Sequence, residues 1–172
     1  MYIIIYTGFI YEVEYMSDNT LINSLWNVFY KFNNFRYFEP DFTNLKVKTK
    51  KEFEELNGGT CWDFIGPMSE ELDRKDIVHH CCFSYIYKEN VLFATHVYII
   101  VRDLPFKYWL ECAWQKHKGL FLVHSYKDVE RHLKESYETD DVHTVVYDPK
   151  CVYGKTANQL FEYLEKDGIK LP

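Results

Sequence analysis

Apolar positions at the start of the chain alternate with mixed ones from Met1 to Tyr15, the period of a strand or a two-stranded ribbon. The period then lengthens. Leu21, Leu25, Val28, Phe29 and Phe32 share one face of a helix predicted over about Thr20 to Phe32, with Asp18 or Asn19 as its cap. Glu39-Pro40-Asp41 interrupts the pattern, and polar residues follow to Lys50. Lys51 to Asn57 has room for one or two helical turns, closed by Gly58. A further helix is predicted to start near Cys61, to break at Gly66-Pro67 and to restart at Ser69. From Val78 the period shortens again, giving strands over Val78 to Tyr87, Val91 to Val101 and Phe106 to Trp114. A Lys-Glu-Asn turn and a turn at Arg102 to Pro105 separate them. Ser125 with Asp128 opens a helix, Asp141 to Tyr147 is a strand, and Thr156 with Gln159 opens a last helix that Gly168 ends. No repeat, linker or boundary interrupts this order. The expectation is one α+β domain over residues 1–172, with a helix packed on an antiparallel sheet.

Composition narrows the function classes. The chain has 172 residues, 47% of them hydrophobic and 19% aromatic, which is enough for one well-filled core and argues against disorder. A net charge of −6 opposes nucleic-acid binding. The one local basic run, Lys46 to Lys51, reads as a solvated loop. Five cysteines (Cys61, Cys81, Cys82, Cys112 and Cys151) have no paired spacing and fit free thiols in a reducing, cytoplasmic setting. Met1 to Ile10 is apolar but too short to span a bilayer and carries no leader-like basic region, so no membrane partner is expected.

The candidate chemistry starts at Gly58-Gly59-Thr60-Cys61-Trp62-Asp63-Phe64. Cys61 follows a glycine pair and a potential N-cap threonine. At a helix start the crowded N–H groups and the dipole favour a thiolate, so a partly exposed, nucleophilic Cys61 is expected. A base is available in the strand carrying His96 and an acid in the strand carrying Glu111. If Arg102 to Pro105 is a four-residue loop, Val101 pairs with Phe106 and His96 falls directly opposite Glu111. One imidazole nitrogen then meets the carboxylate and the other is left for the Cys61 thiol. A slip of one residue would separate the two side chains onto opposite faces. The alternative reading of the pair is a satisfied core histidine at His96 and an exposed strand residue at Glu111.

These residues resemble a family. Gly59-Thr60-Cys61-Trp62-Asp63-Phe64 is similar to the nucleophile motif of transglutaminase-like cysteine enzymes. Thr95-His96-Val97-Tyr98 resembles their histidine strand, and Trp109-Leu110-Glu111 their acid strand. The match is closer still to small transglutaminase-like proteins of bacteria and their phages, and it covers roughly Glu52 to Lys134. The resemblance implies a papain-like core in which Cys61 attacks a carboxamide carbonyl, His96 exchanges the proton and Glu111 orients the imidazole. It also implies an oxyanion site made of the Cys61 backbone N–H and an upstream tryptophan, for which Trp26 is the one candidate, although its place in an apolar helix favours core packing. Trp62, Trp109 and Trp114 stand as candidates for a substrate tunnel, with core packing as the alternative for each. Two departures stand out: the acid is Glu where Asp is commoner, and Gly66-Pro67 interrupts a helix the family keeps longer.

His79-His80-Cys81-Cys82 offers metal-ligand chemistry, but four adjacent residues on a strand alternate between faces, so strand packing is expected and no metal or cofactor. A three- or four-residue turn after this strand would set Cys82 or Phe83 beside His96. The functional expectation is a cysteine-dependent amide hydrolase or acyltransferase acting on peptide or protein amides. Hydrolysis is favoured over cross-linking because no amine-donor site is identifiable. The alternative is a non-catalytic binding protein on the same fold, sequestering a host factor.

Overall fold

The computed structural model describes residues 4–6, 9–11, 19–103 and 106–170. Two short strands, β1 (Ile4–Tyr6) and β2 (Phe9–Tyr11), pair as an antiparallel ribbon. The rest of the N-terminal strand expected to Tyr15 lies outside the described residues, as does Asp18. Helix α1 (Asn19–Asn33) follows, turning Leu25, Val28 and Phe32 inward at helical spacing. Strand β3 (Arg36–Tyr37) leads into a loop and then α2 (Lys50–Glu55), which Thr49 caps by accepting from the Glu52 N–H. Strand β4 (Gly58–Gly59) pairs in parallel with β3 and runs straight into helix α3 (Cys61–Asp73).

Helix α3 is continuous, which corrects the expected break. Pro67 sits inside it and forgoes one backbone hydrogen bond. The helix continues because nearly its whole length is enclosed: Phe64, Met68 and Leu72 are at most 1% exposed. Gly66 is part of the same fit, since a Cβ there would lie 2.3 Å from the Tyr153 hydroxyl.

The main sheet consists of β5 (His79–Lys88), β6 (Val91–Asp103), β7 (Phe106–Glu111), β8 (Gly119–Val123), β9 (Val142–Tyr147) and β10 (Ile169–Lys170). Its order is β10-β9-β5-β6-β7-β8, with every neighbouring pair antiparallel. Strand β8 was not expected; its Gly-Leu-Phe-Leu-Val run has no alternation to mark it. Helix α4 (Tyr126–Tyr137) opens where Asp128 accepts from the His124 and Ser125 N–H groups. A 3-10 turn (Pro149–Val152) and helix α5 (Ala157–Asp167) complete the chain. Among the described residues no helix is long and apolar enough to cross a membrane.

Alternation along the strands divides the interior into two layers. Cys81, Phe83, Val97, Ile99 and Leu110 pack with α1, α2, α3 and α5, whereas Cys82, Ile86, Tyr98, Ile100 and Trp109 pack with Val129 and Leu133 of α4. Strand β6 is paired with β5 from Val91 to Val101, but with β7 only from Ile99 to Asp103. Among the described residues, the other edge of β6 before Ile99 is therefore left without a strand. That gap is where the candidate site lies.

Candidate active site

The turn before Cys61 is built by crowding. Arg36 pairs with Gly58 and Tyr37 with Gly59. A Cβ on Gly58, whose φ is +150°, would fall 2.1 Å from the Arg36 carbonyl oxygen. A Cβ on Gly59 would stand 2.5 Å from the Asp63 Cβ. With both positions bare, the chain closes tightly and Cys61 becomes the first residue of α3. Asp63, fully buried, accepts from the Thr60 N–H at 2.8 Å and hydroxyl at 3.0 Å, and from the Lys48 N–H at 2.7 Å and ammonium at 3.0 Å. Four donors satisfy the buried carboxylate and pin the helix start to the preceding loop. Lys48 is thus a structural partner and not simply part of a solvated run.

His96 and Glu111 form a buried pair, with Nε2 to Oε2 at 2.7 Å and residue exposures of 4% and 1%. Their backbone relation differs from the expected one. Asp103 pairs with Phe106 and Ile99 with Leu110, so only residues 104 and 105, outside the described set, separate the paired ends of β6 and β7. The loop is two residues shorter than expected, and Glu111 falls level with Tyr98 instead of His96. A slip of two residues keeps both side chains on the same face, and the Glu side chain spans the diagonal. The other Glu111 oxygen accepts from the Ala113 and Trp114 N–H groups, each at 2.9 Å. That capture turns the chain and ends β7 at Glu111, short of the expected Trp114. On the other side, Glu89 and Asn90 form a two-residue turn in left-handed conformation, and β5 and β6 slip at Ile86/Tyr87. Ser84 consequently lies beside His96, not Cys82 or Phe83.

Cys61 comes from one layer and the His96–Glu111 pair from the other, and they meet at the uncovered edge of β6. A cleft of about 560 Å³ there is lined by Cys61, Thr95 and His96, with Tyr37, Trp114 and Tyr137 among its walls. The Glu111 bond occupies Nε2, leaving Nδ1 as the ring atom free to exchange a proton with the thiol. Among the described residues no thiol–imidazole hydrogen bond is formed. The thiol itself departs from expectation. Cys61 is 4% exposed, and burial, reinforced by the charges of Glu111 and Asp63, pushes it well above an ordinary thiol. The Trp62 and Val97 N–H groups oppose that rise but do not overcome it. Desolvation thus opposes the helix-start argument for a resting thiolate and favours the neutral thiol.

The tryptophans named from the sequence fall elsewhere. Trp26 packs against Phe29 and Tyr30 on α1, and its buried indole N–H has no partner among the described residues. Trp62 packs against Phe42, Phe83 and Phe161 and donates to the Thr95 hydroxyl at 3.3 Å. Trp109 lies in the α4 layer against Tyr98, Phe121 and His132. None of the three lines the cleft; Trp114 does, with its ring 5.0 Å from His96 and stacked on Tyr137. Tyr37, Glu39, His117 and Tyr137 were not singled out for the site. Only Tyr137 carried a signal, the Val129, Leu133, Tyr137 spacing on the buried face of α4. His117 lines the cleft and bonds His132 at 3.1 Å; burial lowers both imidazoles. In the His79-to-Cys82 run, His79 bonds Ser69 and the Ile77 carbonyl, His80 bonds Tyr126, and the two cysteines enter opposite layers.

No protein-family model and no curated protein matches the chain. A solved structure with some likeness is an arylamine N-acetyltransferase from Bacillus cereus, described as having a Cys-His-Glu catalytic triad. It is 14% identical over 94% of this chain and 95% of that one, with a TM-score of 0.39. What Cys61, His96 and Glu111 do chemically is therefore derived from their own positions.

Proposed function

We propose that this chain is a cysteine-dependent acyl-transfer enzyme, an amide hydrolase or acyltransferase, with Cys61 as nucleophile, His96 as general base and acid, and Glu111 as the group that orients His96. One observation carries the reading: a helix-start cysteine lines the same cleft as His96, whose imidazole is held from behind by the buried Glu111 carboxylate. A buried His–Glu bond of 2.7 Å fixes the tautomer with Nε2 protonated and presents the Nδ1 lone pair.

The reaction starts from the neutral thiol. As Cys61 Sγ attacks a carbonyl carbon, its proton passes to His96 Nδ1, and Glu111 stabilises the resulting imidazolium. The tetrahedral intermediate collapses with cleavage of the bond to the leaving group, which takes the proton from Nδ1. The thioester left on Cys61 is then attacked by water or an amine that gives its proton to Nδ1. The acyl group leaves as an acid or a new amide, and the thiol is restored. Proton transfer coupled to attack suits a thiol that burial keeps protonated at rest.

The test is acylation by p-nitrophenyl acetate followed by mass spectrometry of the intact protein. The expected result is one acetyl group on Cys61 in the wild type, lost in Cys61→Ala and slowed strongly in His96→Ala. A wild type that takes no acetyl group at Cys61 overturns the proposal.

A further inference from the structure

An acyl-transfer site needs donors for the oxyanion as well as a nucleophile and a base, and the cleft offers one that the sequence did not suggest. The first donor is local: the Cys61 N–H, at the head of α3, has no intrahelical acceptor. The tryptophan expected as the second donor, Trp26, is not in the cleft. Tyr37 is. Its backbone is laddered to Gly59, two residues before Cys61, and the Phe38 N–H adds a bond of 2.8 Å to the Gly59 carbonyl. The parallel pairing ties the Tyr37 backbone to the turn that sets the helix start. Its side chain lines the cleft together with Cys61 and His96.

We propose that the Tyr37 hydroxyl is the second oxyanion donor of this site, acting with the backbone N–H of Cys61. The inference rests on the acyl-transfer reading. Burial and the nearby Cys61, Glu39, Tyr137 and Glu111 all hold the Tyr37 hydroxyl protonated far into the alkaline range, so it remains a donor whenever the enzyme works. Tyr137 also feels Cys61, but its ring is stacked on Trp114 and abuts Phe93, which makes it a wall of the cleft. A phenol donor that meets the negative charge developing on the carbonyl oxygen stabilises a tetrahedral intermediate while contributing little to the ground state.

Two electrophiles separate this role from a structural one. p-Nitrophenyl acetate passes through an oxyanion; iodoacetamide alkylates the same sulfur by direct displacement and forms none. Tyr37→Phe keeps the ring and removes the hydroxyl. The expected result is acylation slowed by about 10²-fold with alkylation within about twofold of wild type. Acylation unchanged in Tyr37→Phe, or both rates falling together, overturns the inference while leaving the acyl-transfer reading intact. A wild type that is alkylated at Cys61 but never acylated overturns both. Should Tyr37→Phe fail to fold, 3-fluorotyrosine at position 37 supplies a more acidic donor. Acylation then rises without a change in alkylation, and equal acylation overturns the inference.

Discussion

His96 reaches Glu111 along a diagonal of the sheet, not across a rung of the ladder. The register that pairs Ile99 with Leu110 sets Glu111 level with Tyr98, yet Nε2 and Oε2 meet at 2.7 Å. Diagonal neighbours are about 7–8 Å apart in the backbone, a gap that favours the longer of the two acidic side chains. Glu111→Asp should therefore lose the contact while keeping the charge. Its acylation rate is expected to fall by about 10² to 10⁴, close to that of Glu111→Gln, which keeps the reach and loses the charge. Wild-type rates in Glu111→Asp would show that the diagonal does not matter.

The protonated resting thiol has a signature of its own. Cys61 should react with iodoacetamide more slowly than a free model thiol at pH 7, and its rate should still be climbing above pH 9. A fast plateau reached by pH 6 would mean a standing thiolate–imidazolium pair and would contradict the desolvation argument.

Stability should fall on both sides of neutrality. On the alkaline side, burial raises Cys81 to about 12 and raises Cys82 and Cys112 well above the ordinary thiol value. The native state then holds protons that the unfolded chain releases above about pH 8.5, so stability declines from there by about 1.4 kcal/mol per pH unit for each such thiol. On the acid side, His80, His117 and His132 are lowered by burial, so the unfolded chain binds their protons first. That contribution is complete above about pH 6.5 and is lost as the pH falls below it. Urea unfolding across pH 5–10 gives the curve, and a flat one refutes the assignment.

The glycine pair should resist substitution unequally with its surroundings. Gly59→Ala pushes a methyl group into Asp63 and with it the start of α3, whereas Gly154→Ala meets only the end of the Lys46 side chain at 3.7 Å. Gly59→Ala should cost about 1–3 kcal/mol, slow acylation of Cys61 and lower the melting temperature. Gly154, at φ +74°, should show only the smaller backbone penalty and unchanged acylation.

Local rules made much of this architecture legible. The capping pairs Ser125–Asp128 and Thr156–Gln159 marked two helix starts, and alternation marked β5, β6 and β9. Cys61, His96 and Glu111 were brought to one cleft or bond even though the hairpin loop was misjudged, because a two-residue error preserves the face. What failed depended on distant partners. Pro67 is tolerated because tertiary packing surrounds its helix, and the Cys61 thiol is governed by desolvation that no motif reports. Tyr37 enters the site through a parallel pairing of two-residue strands, too short to leave any period in the sequence.

Strand β7 stops at Glu111 because that carboxylate uses its second oxygen to accept from the Ala113 and Trp114 N–H groups. Two more residues of β7 would set Ala113 opposite His96 and cover the edge of β6 at the cleft. The sheet is thus left unfinished at the place where finishing it would strengthen the protein and, on the acyl-transfer proposal, silence it. Variants selected for heat resistance alone would be expected to lengthen β7, and to lose acylation of Cys61 as they do.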